Sequence, residues 1–156
     1  MTTPLLVLAW GNLSRGDDAL GPLCVAALRE QLPDFLQEQV AFLDDYQLQI
    51  EHALDLVDRQ RVLFIDASLN CTAPFQVSQP KPARDTSFTS HALSPQALLQ
   101  VYQDLQGVPP PPCTMLAIRG DQFELGQAPG AQALAHLASA VKWARQWLLD
   151  SQPGDA

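Results

Sequence analysis

Apolar residues along this chain form two alternating kinds of segment. The first kind is a short unbroken run. Leu5-Leu6-Val7-Leu8-Ala9-Trp10 follows Pro4 and stops at Gly11-Asn12. A run of that length with a glycine stop reads as a strand buried on both faces. Val40-Ala41-Phe42-Leu43, ending at Asp44-Asp45, has the same form. So do Arg61-Val62-Leu63-Phe64-Ile65, closed by Asp66, and Cys113-Thr114-Met115-Leu116-Ala117-Ile118. Phe75-Gln76-Val77 fits a short edge strand. The second kind of segment has helical spacing. Leu20, Leu23, Cys24, Ala27 and Leu28 predict a helix from about Asp18 to Leu32, with Pro22 harmless in its first turn and Pro33 as its stop. Leu48, Ile50, Leu54 and Val57 predict a helix over Gln47 to Asp58. Ser94-Pro95 supplies an N-cap and a first helical residue for a helix running to about Leu105. Leu134, Leu137, Val141, Trp143 and Leu148 form the stripe of a last helix from Ala131 to Leu149. Residues 79–89 read as a polar, proline-bearing loop, residues 107–112 as a stiff proline connector and residues 151–156 as a frayed tail.

Strands that alternate with helices pair in parallel, because each return needs a crossover. The expected fold is therefore an α/β three-layer sandwich. A mostly parallel central sheet of about five strands carries helices on both faces, in a single domain over residues 1–150. Sites in open α/β sheets lie beyond the carboxyl ends of the strands. That directs attention to residues 11–18 and 66–70.

Composition narrows the function classes. The chain has 156 residues, 47% hydrophobic and 17% charged, which excludes disorder. No apolar run reaches the ~20 residues a membrane-spanning helix needs. The amino-terminal segment has no basic stretch before its apolar run, so no signal peptide is expected and the reading is cytoplasmic. Nine basic residues against seventeen acidic ones give a net charge of −8, without the basic patch that nucleic acid or an anionic membrane would require. Cys24, Cys71 and Cys113 are odd in number and far apart. They read as small buried apolar residues, not as a disulfide framework or a zinc site.

Three places hold candidate chemistry. Asp17 and Asp18 precede a helix, where carboxylates favour the helix itself through capping and the macrodipole. They could equally supply a hard oxygen ligand or a general base at the mouth of the sheet. Asp66 closes the third strand, as a site residue or as a cap on the next turn. His91 lies in a loop before a well-capped helix, where function concentrates, whereas His52 and His136 fall within expected helices and read as surface or groove-filling residues. One imidazole and two carboxylates can hold a first-row divalent ion and leave positions open for a substrate.

Taken together, G-N-x-x-x-x-D-D-A-L-G after the first strand (Gly11 to Gly21), an aspartate at the end of the third, and S-H-A-L-S-P before a helix (Ser90 to Pro95) resemble the [NiFe]-hydrogenase maturation proteases. The resemblance runs from Leu5 to about Leu149. It implies an endopeptidase that removes the C-terminal peptide of a hydrogenase large-subunit precursor once nickel is in place. It implies no resident cofactor, the nickel being that of the substrate. Carried over by motif, Asp18, Asp66 and His91 engage nickel, and Asp17 joins them as a catalytic candidate. Asp18 is a shorter carboxylate than the glutamate of some members. Glycines common after the second strand are replaced by Asp45 to His52. The segment Q-L-Q-I-E-H-A-L-D-L, with Trp10-Gly11-Asn12, resembles the branch serving NAD-reducing, bidirectional hydrogenases.

Water activation has two routes on the residues alone: the metal as Lewis acid, or Asp17 or Asp18 as general base. No H-E-x-x-H or G-x-S-x-G motif is present, against a resident-zinc protease or a serine hydrolase. Cys71 as a nucleophile has no histidine nearby in sequence. A nickel-sensing chaperone that binds the large subunit without cutting it is the alternative. A phosphate-binding domain fails on the missing glycine motif and on the −8 charge.

Overall fold

The computed structural model describes residues 2–84 and 93–150. Five strands form one sheet in the order β2-β1-β3-β5-β4. They are β1 (Leu5–Trp10), β2 (Val40–Asp45), β3 (Arg61–Ser68), β4 (Phe75–Ser78) and β5 (Cys113–Arg119). The first four in that spatial order are parallel, and β4 lies antiparallel on the β5 edge. The helices are α1 (Leu20–Gln31), the single turn α2 (Asp34–Gln37), α3 (Pro95–Gln106) and α4 (Ala131–Asp150). The expected sandwich and its helical coverage are thus found. Residues 151–156, expected to fray, lie outside the described residues.

Alternation along the strands sorts the core into two layers. Leu5, Val7 and Ala9 of β1 and Leu63 and Ile65 of β3 pack beneath α1 and α4. Leu6, Leu8 and Trp10, with Val62 and Phe64, face α3 and the segment 50–56. Both faces of β1 and β3 are covered, so these strands are apolar throughout. Trp10 meets Phe64 edge-on, with ring centroids 5.9 Å apart. At the other end of the core the Arg61 guanidinium sits 4.3 Å from the Trp147 ring centroid. Ser94 caps α3 as its sequence predicts, accepting the Ala97 N–H at 3.1 Å.

Two expectations are corrected. The helix expected over Gln47 to Asp58 is a 3₁₀ segment, Ile50–Leu56. Ile50 and Leu54, expected in its apolar stripe, are exposed, while Ala53 and Leu56, three residues apart, are buried. A three-residue period is that of the tighter 3₁₀ coil. The first helix also starts later than expected. Residues Gly16–Ala19 form a 3₁₀ turn, and α1 begins at Leu20 with no side-chain cap. Gly21 then rides directly on the sheet. A Cβ there would come within 2.7 Å of the Trp10 carbonyl oxygen and 3.0 Å of that of Ile65. The start of α1 is thereby pressed against the carboxyl ends of β1 and β3.

Candidate active site

The connections out of β1 and β3 run to opposite flanks of the sheet, from β1 to β2 on one side and from β3 to β4 on the other. β1 pairs with β2 on one flank and β3 on the other, so a crevice opens where the strand order reverses. Pairing between β1 and β3 ends at Ala9 and Ile65, while β3 continues along β5 from Asp66 to Ser68. Asp66 is therefore not the last residue of its strand, as the sequence implied. It is the first residue of β3 beyond β1, and it faces the opening.

A cleft of about 250 Å³ occupies this place, lined by Trp10, Asn12, Arg15, Asp18, Tyr46 and Asp66 among others. The sequence-predicted pair Asp18 and Asp66 is thus brought to one cavity. Burial pushes the Asp66 carboxyl up to about 7, and the Asp18 charge pushes in the same direction. The Ala67 N–H, donating at 2.8 Å, and the Trp10 side chain oppose that shift. The Asp18 charge makes an ionised Asp66 costlier, and a cation between the two would turn that repulsion into attraction.

Asp18 is held by the loop it closes. Its Oδ2 accepts the backbone N–H of Asn12 at 2.9 Å. Asn12, itself 6% exposed, donates from Nδ2 to the Tyr46 hydroxyl at 2.6 Å and accepts the Ser14 N–H on Oδ1 at 2.8 Å. Asn12 and Tyr46 are site residues that sequence reasoning missed as such. The signal available for Asn12 is a polar residue directly after a buried strand, inside a motif whose aspartates draw the attention.

Asp17 is placed differently from both readings open at the sequence level. It does not line the cleft, and it caps no helix. At 1% exposure its carboxylate is buried against residues 120–130. Oδ2 accepts the N–H groups of Asp121 at 2.8 Å and Gln122 at 2.9 Å, and Oδ1 accepts that of Gly130 at 2.8 Å. Burial raises its pKa, but these three donors and the nearby His136 outweigh that and hold it below the ordinary carboxylate range. Its oxygens are taken up by backbone donors of residues 121, 122 and 130 and do not face the cleft.

His91, the third expected ligand, lies outside the described residues. Among the described residues, no three His, Cys, Asp or Glu side chains stand close enough to hold a metal ion. His52 is buried. Its Nδ1 accepts the Gln49 N–H at 2.8 Å, and its Nε2 lies 3.2 Å from Asp45 Oδ2. His136 Nδ1 lies 3.1 Å from the Arg119 carbonyl. Cys71 is buried, with Sγ 3.5 Å from the Ala117 carbonyl and 3.8 Å from that of Ser68. A larger groove of about 410 Å³ between α1 and α4 is lined by no carboxylate, imidazole or thiol.

No family model matches the chain, and no curated sequence does. Solved structures do. The fold is that of the [NiFe]-hydrogenase maturation proteases. The hydrogenase maturating endopeptidase HybD from E. coli superposes with a TM-score of 0.75 at 22% identity, over 96% of this chain and 94% of that one. The maturation protease HycI from Thermococcus kodakarensis KOD1 gives 0.73 at 18%, over 94% and 93%. The hydrogenase 2 maturation peptidase from a Thaumarchaeota archaeon gives 0.65 at 22%, over 99% and 100%. The likeness spans both chains nearly whole, so the architecture is shared from end to end.

Proposed function

We propose that this protein is an endopeptidase that removes the C-terminal peptide of a [NiFe]-hydrogenase large-subunit precursor after nickel insertion. The observation that carries the reading is the pairing of Asp18 and Asp66 in one cleft at the switch point of the sheet. The same architecture in hydrogenase maturation proteases supports it.

The nickel belongs to the substrate. Thiolates of the precursor hold it, and Asp18 and Asp66 add two oxygen donors, with His91 as the nitrogen donor. Because the ion relieves the repulsion between the carboxylates, a precursor without nickel meets a site that repels itself. Recognition and proofreading are then the same contact. With Asp17 engaged elsewhere, Asp18 and Asp66 are the carboxylates facing the cleft that can take a proton from the attacking water. Among the described residues, no helix is long and apolar enough to cross a membrane.

Nickel-loaded precursor incubated with the protein should lose its C-terminal peptide, read by intact mass, and nickel-free precursor should not. His91→Ala should abolish the loss while circular dichroism stays unchanged, because the side chain would be the site's single nitrogen donor. Stable association without cleavage would instead support a nickel-sensing chaperone. Cleavage at the same rate with and without nickel would overturn the recognition model.

A further inference from the structure

We propose that Asp17 is a positioning residue: its carboxylate clamps residues 120–130 onto the turn that carries Asp18 and so fixes Asp18 in the cleft. The inference rests on the assignment of Asp18 to the site and extends it to a second loop that contributes no side chain to that cleft.

Three observations converge. The first is the carboxylate itself, buried with three backbone N–H donors, all more than a hundred residues away in sequence. A buried carboxylate is costly unless its lone pairs are filled, and in this protein backbone groups fill them. The second is that the contact is mutual. The Asp17 N–H donates to the Gln122 carbonyl at 2.7 Å, the Gly16 N–H to that of Gln127 at 2.9 Å, and the Gly126 N–H to that of Ser14 at 2.6 Å. Loop 11–18 and loop 120–130 are therefore tied at Ser14, Gly16 and Asp17. The third is adjacency. Asp18 follows Asp17 within one 3₁₀ turn, its N–H bonded to the Arg15 carbonyl at 3.0 Å. Rotating the Asp17 peptide displaces the Asp18 backbone with it. Among the described residues, the hydrogen-bond donor to the Asp18 carboxylate is the Asn12 N–H.

The chemistry explains why aspartate is used. An asparagine is nearly the same shape but has one acceptor oxygen and a donor in place of the other. It can serve two of the three N–H groups and opposes the third.

The test is Asp17→Asn, followed by amide hydrogen exchange in the free protein and by precursor cleavage. Exchange should quicken at Asp121, Gln122 and Gly130 for any role of the clamp. The discriminating amide is Asn12, whose partner is the Asp18 carboxylate. It should exchange about 10-fold faster or more. Cleavage should show kcat down by about 10²-fold with KM within about twofold, as expected when a reacting group is misplaced by about an ångström. Gly130→Pro deletes one donor from the opposite side and should move Asn12 in the same direction, which keeps the test decisive if Asp17→Asn does not fold. Quickened exchange confined to residues 120–130, with Asn12 and kcat unchanged, would overturn the proposal. A parent protein that cuts no precursor would refute the protease reading, while the Asn12 amide would still decide the clamp.

Discussion

Asp66→Asn is expected to lower precursor cleavage by about 10³-fold or more and yet to melt several degrees higher than the parent at pH 8. The two effects have one source. The Asp66 carboxyl is pushed up to about 7, first by burial and then by the Asp18 charge. In the unfolded chain an aspartate titrates near its ordinary ~3.9. Between those values the folded protein holds a proton that the unfolded chain has released, so stability falls as pH rises through that window. Above about pH 7 the folded protein carries the full cost of an ionised Asp66. That cost is bounded by about 4 kcal/mol and reduced by solvent at a half-buried group to about 1–3 kcal/mol. Asparagine removes the charge and keeps the shape. Thermal melts of both proteins at pH 4 and pH 8 check this: the gap should open only at the higher pH. Equal melting at pH 8 would mean that Asp66 is not strained by its surroundings. Asp17 has the opposite sign, its stabilisation being present at neutral pH and lost as acid protonates it.

Gly11→Ala should cost about 3 kcal/mol or more, beyond the range of ordinary point changes. Gly11 has a φ of +151°, which side-chain-bearing residues rarely adopt. A Cβ there would overlap the Asp18 carbonyl oxygen and crowd the Pro22 Cδ at 3.3 Å. The obstacle is backbone and a proline ring, so no flexible side chain can give way. Nor can the strand end retreat freely, because the Gly11 N–H donates to the Asp45 carbonyl at 3.0 Å. Urea denaturation measures the loss, seen as a lower midpoint at unchanged slope. A loss below about 1 kcal/mol would show that the turn between β1 and Asp18 is loose and does not hold Asp18 in place.

The sheet is legible in the sequence because β1 and β3 are covered on both faces and so read as apolar runs, with β5 beside them half-buried but still mostly apolar. Their ends are less so. β3 extends past Asp66 because β5 still pairs with it there, and nothing in the apolar run of β3 reports its neighbour. The 3₁₀ segment misleads because four apolar residues at near-helical spacing resemble one stripe, whereas Ile50 and Leu54 face solvent. The single turn α2 escapes detection because four residues carry no periodicity. At the site, the motif points to Asp18 and Asp66, and the crossover topology brings them to one cleft. The contacts of Asp17 are not legible in the sequence for a definite reason. Its partners are backbone N–H groups of residues 121, 122 and 130, and a main-chain donor leaves no trace in side-chain identity.

The central claim is that Asp18 and Asp66 complete the coordination of nickel held by the substrate. Nickel-edge X-ray absorption of the nickel-loaded precursor, recorded alone and with an excess of the His91→Ala protein to slow turnover, tests it directly. New oxygen scatterers at ~2.0–2.2 Å are predicted when the protein is added, and none when Asp18 and Asp66 are both replaced by alanine. A spectrum unchanged by binding, in a complex shown to form, would contradict the claim.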